Sequence, residues 1–143
     1  MTQKKFDIAA ASALLEDVIA PWVQDLQLSV IAVDEAGASL RMKYSDRLCR
    51  EGGIICGQSL MALADTAMVI AVAAAGDRYR PMTTVDVTTH MMKPVSNTDV
   101  IADVKILRMG RTMAFGQALL HPENDLRPAV SVTMAYALLP EKE

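Results

Sequence analysis

The sequence has 143 residues, the size of a single domain, and 52% of them are hydrophobic, which excludes a disordered chain. A formal net charge of -3 argues against nucleic acid as the main partner, because a phosphate backbone binds clustered basic side chains. The two cysteines, Cys49 and Cys56, lack the spacing of zinc ligands and no phosphate-binding loop occurs, so we expect reduced thiols and neither a metal nor a cofactor.

The N-terminal segment, over about residues 6–26, is predicted to be helical. Leu15, Val18 and Trp22 recur at helical spacing, and Pro21 is expected to kink the helix or to divide it in two. Acidic residues interrupt the apolar stretch that a secretory signal would need. We therefore expect a cytoplasmic protein that has no membrane partner.

Two alternating runs follow, at residues 28–33 and 39–44, and a turn that contains Gly37 separates them. Alternation with a period of two on either side of a glycine turn predicts a β-hairpin. The polar stretch after the hairpin ends in Gly52 and Gly53, which indicates a loop.

Residues 54–75 form a long and mostly apolar run. A helix that is apolar on nearly all sides is enclosed by other elements rather than laid on a surface. The run is long enough to span a membrane, but Gln58 and Asp65 lie inside it and a charge there is costly. We expect a buried helix that ends at Gly76.

Four more strands are predicted from alternation of apolar and polar residues. They cover residues 84–91, 100–107, 111–120 and 129–138. Their short connections favour antiparallel pairing, and no helix lies between them to support a doubly wound parallel sheet. The elements together predict an α+β fold, a single domain over residues 1–143 in which an antiparallel sheet wraps around one long central helix.

Asp65 stands in the middle of the predicted central helix. A carboxylate among apolar neighbours costs free energy unless it is paired or hydrogen-bonded, and groups of this kind are candidates for general-base catalysis. It could also lie at the edge of the domain, bonded to a backbone amide. The pattern alone leaves both interpretations open.

The start of the same helix is a second candidate site. The first N–H groups of a helix have no partner within it, so they could hold the oxyanion of an acyl-transfer intermediate, and Gly57 would let a ligand carbonyl come close to the backbone. An ordinary junction between loop and helix would look the same. Cys56 at this position could be a nucleophile with a lowered pKa or simply a small buried hydrophobic residue.

The motifs around these residues resemble those of the hot-dog thioesterases of the phenylacetate-degradation type. The family typically reads G-x-x-H-G-G and then L-A-D-T-A. Here Gly53-Ile54-Ile55-Cys56-Gly57-Gln58 precedes Asp65-Thr66-Ala67, with the spacing kept. Thr84-Val85-Asp86-Val87, Met91-Met92-Lys93-Pro94 and Arg108-Met109-Gly110-Arg111 resemble three later motifs of the family, in the same order. The similarity extends from about residue 28 to residue 138.

The resemblance implies a hot-dog domain that hydrolyses acyl-CoA thioesters, as a homodimer or homotetramer with active sites between subunits. Asp65 would act as general base or nucleophile, and the Gly57 N–H would polarise the thioester carbonyl. Thr84, from the partner subunit, would help to place the attacking water. Arg108 and Arg111 could bind the phosphates of coenzyme A, although a solvated turn would also explain either arginine taken alone.

Three positions depart from the family pattern. Cys56 stands where the family usually has histidine, Gln58 replaces a glycine, and Arg50 aligns with a frequent asparagine. These residues would contact the substrate, but a side chain that orients the carbonyl is lost. A module that binds acyl-CoA without hydrolysing it is therefore an alternative.

The two histidines suggest a third possibility. Regular alternation is expected to place His90 on a polar face of its strand together with Thr84, opposite Val85 and Val87. A hydratase built on the same fold would depend on His90. His121 precedes a proline and is expected to lie in a solvated turn.

Overall fold

The computed structural model describes residues 6–141, so the first five and the last two residues of the predicted domain lie outside it. The strands are β1 Leu28–Asp34, β2 Gly37–Met42, β3 Cys49–Arg50, β4 Ile54–Ile55, β5 Met82–Met91, β6 Val100–Met109, β7 Met113–Pro122 and β8 Val130–Leu138. Six of them form one antiparallel sheet in the order β1-β2-β6-β7-β8-β5, and β3 pairs with β4. The predicted antiparallel pairing is confirmed.

One long helix, α3 (Gly57–Ala75), contacts all six strands of the sheet. Leu63, Ala67, Met68 and Ile70 on this helix are fully buried. By length and composition α3 could cross a membrane, but 67% of its most apolar stretch of 18 residues is buried inside the domain. The sheet therefore wraps around an enclosed helix, and the predicted α+β hot-dog architecture is confirmed.

The N-terminal segment contains two separate helices, α1 (Ile8–Val18) and the single turn α2 (Pro21–Gln24). The predicted division at Pro21 is confirmed, because proline starts α2 where its missing N–H is not needed. The Gln24 side chain donates hydrogen bonds to the carbonyls of Glu16 (3.1 Å) and Ile19 (2.7 Å), which closes the corner between the helices.

Strand β5 forms one edge of the sheet and contains a β-bulge. Thr84 lies opposite Tyr136, and Asp86 lies opposite Ala135, so Val85 has no partner on β8. An extra residue in one strand shifts the alternation of side chains by one position. Side chains on the two sides of Val85 therefore do not follow one regular pattern.

The bulge brings Thr84 to the inner face of the sheet, toward α3. Beyond the bulge the inner face continues through Val87, whereas His90 lies on the outer face, opposite Ser131. The predicted polar face shared by Thr84 and His90 is wrong for this reason. His90 is separated from α3 by the sheet itself.

His121 is the second departure from the predictions. It belongs to β7, opposite Ile101, and the residue is only 8% exposed. Its Nδ1 lies 2.7 Å from the carbonyl oxygen of Pro122, and its Nε2 lies 3.2 Å from the carboxylate of Asp103. The predicted solvated turn is wrong, because pairing with β6 extends β7 through the proline and overrides the local turn signal.

Candidate functional site

Asp65 lies in the middle of α3, half-buried, with its side chain directed at the edge strand β5. The Thr84 hydroxyl donates a hydrogen bond of 2.9 Å to Oδ1 of Asp65. This bond forms within one chain, whereas the family resemblance implied that Thr84 would reach the site from a partner subunit. The bulge at Val85 explains the contact, since it turns Thr84 inward.

A second hydroxyl reaches the same carboxylate from β8. The Tyr136 hydroxyl donates to Oδ1 of Asp65 and lies 2.6 Å from the backbone carbonyl oxygen of Asp65. Tyr136 is one of the largest fully buried side chains, with 1% exposure. Burial raises the pKa of Tyr136 well above its usual range, and the negative charge of Asp65 raises it further. The phenol therefore stays protonated and remains a donor.

Both hydroxyl groups bond to Oδ1, and among residues 6–141 no donor is found for Oδ2 of Asp65. Asp65 borders an open cavity of about 310 Å³. The cavity is lined by Trp22, Val23, Gln58, Met61, Ala62, Asp65, Thr66 and Val87. A carboxylate with one free oxygen in a largely apolar cavity can accept a proton from a bound water.

The first turn of α3 offers a different kind of group. Cys56 is the N-cap residue, but its thiol makes no capping hydrogen bond. Its backbone N–H donates a hydrogen bond of 2.8 Å to the carbonyl oxygen of Leu48. No acceptor for the Gly57 N–H is found within the described part of the chain. A free N–H at the positive end of a helix can stabilise a developing oxyanion.

A second cavity, of about 370 Å³, opens beside Gly57. It is lined by Arg50, Ile54, Ile55, Gly57, Leu60, Met91, Met92, Lys93, Pro94 and Val95. Lys93 pairs with Asp125 at 3.3 Å, while no carboxylate partner of Arg50 is found among residues 6–141. The structure thus brings the predicted residues Arg50 and Gly57 together. Cys56 lines neither cavity, and both cysteines are free thiols.

Gly57 and Asp65 do not meet within one chain. They are eight positions apart on α3, which corresponds to about 12 Å along the helix axis. The N–H of one and the carboxylate of the other cannot act on the same carbonyl group of a single small ligand in this chain. Gln58, one residue after Gly57, nevertheless lines the cavity of Asp65.

Arg108 and Arg111 lie at the opposite end of the domain. They are exposed and flank the turn between β6 and β7, and the nearby Met109 packs toward Gly76 at the C-terminal end of α3. The Arg111 carbonyl accepts a hydrogen bond of 3.2 Å from Arg80. The structure does not bring these two arginines to Asp65 or Gly57.

The sequence profile of the thioesterase superfamily matches residues 52–129, more than half of the chain. The chain belongs to the thioesterase superfamily. The matched segment includes Gly57, Asp65 and Thr84, whereas Tyr136 follows it. No curated protein matches the sequence significantly.

Solved structures agree with this membership. A thioesterase candidate from Silicibacter sp. TM1040 is 30% identical and matches 96% of this chain and 95% of its own, with a TM-score of 0.85. A thioesterase from Haemophilus influenzae is 19% identical over 100% of this chain and 98% of its own, with a TM-score of 0.85. Thioesterase superfamily member 2 from zebrafish is 18% identical over 92% and 98%, with a TM-score of 0.81. The last two share the fold.

Reasoning from sequence misses two residues of the candidate site. Tyr136 falls at an apolar position of the strand predicted over residues 129–138, and Trp22 falls within the predicted N-terminal helical segment. A phenol on the inward face of a strand must find a hydrogen-bond partner, which is a usable signal. It does not identify the partner, because the pairing of β8 with β5 and its packing on α3 are long-range contacts.

Proposed function

We propose that this member of the thioesterase superfamily hydrolyses acyl-CoA thioesters and is of the phenylacetate-degradation type. One observation supports the proposal above all. The Asp65 carboxylate is held by two hydroxyl groups on Oδ1, while Oδ2 is free beside an apolar cavity. This arrangement suits a general base that acts on water at an acyl group.

In the proposed reaction, Oδ2 of Asp65 accepts a proton from water as the water oxygen bonds to the thioester carbonyl carbon. Thr84 donates its own proton to Asp65, so its oxygen can accept a hydrogen bond from this water. The oxyanion that forms accepts a hydrogen bond from a Gly57 N–H. The carbon–sulfur bond then breaks, and the proton held by Asp65 passes to the sulfur. The products are the free acid and the thiol of coenzyme A.

We propose that the site forms between two copies of the chain, in a homodimer or homotetramer. β5 is an edge strand of ten residues, and Val85, Met91 and Met92 are exposed along or just after it. A long edge with exposed apolar side chains needs a partner. If two copies pair antiparallel through β5, the end that carries Thr84 in one copy lies near the Met91 end of the other, beside Gly57.

The two cavities then have separate proposed roles. The cavity beside Asp65, with Trp22 and Met61 in its wall, would hold the acyl group. Arg50, which lines the Gly57 cavity, would bind the phosphates of coenzyme A. Arg108 and Arg111 can contribute only if a neighbouring copy brings them to the substrate.

A binding protein without hydrolytic activity is the second proposal. The absence of the family's usual histidine at Cys56 supports it, because the Cys56 side chain lines neither cavity and cannot replace an imidazole at the carbonyl. The carboxylate and the free helix N–H remain, and these support hydrolysis.

Thiol release from short-, medium-, long-chain and aryl-CoA thioesters is compared between the wild-type protein and Asp65→Asn. The substitution keeps the shape but removes the base, so kcat should fall by about a hundredfold or more. Turnover at the wild-type rate in the asparagine variant would rule out Asp65 as the base. Binding without release from any member, already in the wild-type protein, would favour the binding function.

A further inference from the structure

We propose that Tyr136 is a positioning residue, which together with Thr84 holds the Asp65 carboxylate by Oδ1 so that Oδ2 is the atom that faces the water. This inference rests on the proposed hydrolysis and assigns to Asp65 a definite reacting oxygen. It also adds a second role for Thr84, whose proton is donated to the carboxylate while its oxygen can still accept a hydrogen bond from the water.

The Tyr136 hydroxyl contacts Asp65 at two atoms and also lies within hydrogen-bonding reach of the Thr84 hydroxyl. Its hydroxyl reaches Oδ1 of the side chain and, at 2.6 Å, the backbone carbonyl of the same residue. Tyr136 is 1% exposed, so its ring cannot leave the core without opening a large cavity. The phenol therefore restrains the position of the Asp65 carboxylate, which a flexible surface side chain would not do.

Thr84 and Tyr136 approach the carboxylate from neighbouring positions of the sheet. They are directly opposite each other in the pairing of β5 with β8, so they share one face, and the bulge at Val85 places Thr84 on the inner face that Tyr136 occupies. Two donors from adjacent strands therefore converge on one oxygen. Rotation about the bond that carries the carboxylate would break both hydrogen bonds at once, so the two oxygens do not exchange freely.

This one-sided arrangement has a chemical consequence. The hydrogen bonds to Oδ1 replace those that the carboxylate loses from water on partial burial, and so offset the free-energy cost of that burial. Oδ2 keeps its lone pairs for the substrate water, within the cavity lined by Gln58, Met61 and Val87. A base fixed in this way loses little freedom when the reaction begins.

The kinetic test compares Tyr136→Phe, Thr84→Val and Thr84→Ser. Phenylalanine keeps the buried ring and removes only the hydroxyl, so kcat should fall about tenfold or more while KM changes by less than about threefold. Thr84→Val should behave similarly, and Thr84→Ser should retain most of the activity because it restores the donor. Tyr79→Phe and Thr88→Val, which change an exposed tyrosine and a threonine on the outer face, are the matched controls.

A second measurement does not depend on catalysis. The absorbance of tyrosinate is measured as a function of pH in the wild type, in Asp65→Asn and in Tyr136→Phe. Subtracting the curve of Tyr136→Phe leaves the ionisation of Tyr136. Asp65→Asn removes a negative charge that opposes ionisation of the phenol, so Tyr136 should ionise at lower pH in that variant.

The two measurements separate the possible failures. Unchanged kcat in a folded Tyr136→Phe variant, or a change in KM alone, overturns the positioning role. If the wild-type protein releases no thiol from any thioester, the proposed hydrolysis fails, and the titration then decides. A lower ionisation pH in Asp65→Asn supports the coupling of Tyr136 to Asp65, and an unchanged one overturns it.

Discussion

Asp65 is tolerated within an apolar helix because two hydroxyl groups bond to it where water would otherwise be needed. The cost of placing a carboxylate among buried residues is offset by the bonds from Thr84 and Tyr136. The interaction acts on both partners, since burial and then the negative charge of Asp65 raise the pKa of Tyr136 and keep the phenol protonated. This mutual dependence leads to a prediction about stability at high pH.

The pKa of Tyr136 is raised in the folded protein from its ordinary value of 10.0. Below pH 10 the phenol is protonated in both the folded and the unfolded chain, so its contribution to stability is fully present. Above pH 10 the unfolded chain releases this proton while the folded chain keeps it, so the free energy of unfolding falls as pH rises, by up to about 1.4 kcal/mol per pH unit.

Denaturant unfolding of the wild type and Tyr136→Phe at several pH values above 10 measures this contribution. We expect the wild type to lose stability more steeply than the variant, with Tyr79→Phe following the wild type. Parallel curves for the wild type and Tyr136→Phe would contradict the raised pKa.

At the scale of elements, α2 supplies part of the wall of the cavity beside Asp65. The hydrogen bonds of Gln24 and the burial of Val23 fix this single turn against the domain. Trp22 consequently borders the cavity of Asp65 and is 62% exposed. A large exposed indole next to a carboxylate site is well placed to cover an apolar acyl chain. The α1–α2 segment therefore belongs to the proposed substrate site.

Trp22→Ala should raise KM for medium- and long-chain acyl-CoA thioesters by about tenfold, because the apolar contact with the chain is lost. Short-chain thioesters should be affected much less, and Trp22→Phe should retain most of the preference. The measurement is kcat and KM across a series of chain lengths. An equal change for all chain lengths would show that Trp22 does not contact the acyl group.

At the scale of the whole molecule, one chain contains both halves of the proposed hydrolytic site but keeps them apart. The Gly57 N–H and the Asp65 carboxylate are separated by about 12 Å along α3. The exposed edge β5 runs past both of them, from Thr84 to Met91. A two-fold axis through β5 would join the halves of different chains, which yields two equal sites in a dimer.

Mixing two inactive variants tests this arrangement. Gly57→Pro removes the N–H at the first helical position, where proline is compatible with the helix, and Asp65→Asn removes the base. After denaturation and refolding of an equal mixture, about half of the dimers contain both variants, and each of these has one intact site. We expect about a quarter of the wild-type activity, measured by thiol release. A mixture as inactive as either variant alone would place the site within one chain or refute the role of Gly57.

Much of the fold could be predicted because it follows from local patterns. An apolar run with no polar stripe between Gly57 and Gly76 has to be enclosed, and short alternating runs joined by tight turns have to pair antiparallel. The spacing from Gly57 to Asp65 lies on one helix, so it too is a local property. These parts of the prediction needed no knowledge of which strands are neighbours.

The composition of the candidate site was decided by tertiary structure. The bulge at Val85 exists only in the pairing of β5 with β8, yet it determines that Thr84 turns toward Asp65 and His90 away from it. Likewise Tyr136 meets Asp65 across 71 residues of sequence. The sequence by itself determined an enclosed helix with a carboxylate in it, since the pattern of apolar residues and the position of Asp65 both belong to one continuous segment. Only the packing of distant strands on that helix decided which hydroxyl groups hold the carboxylate and which of its oxygens stays free.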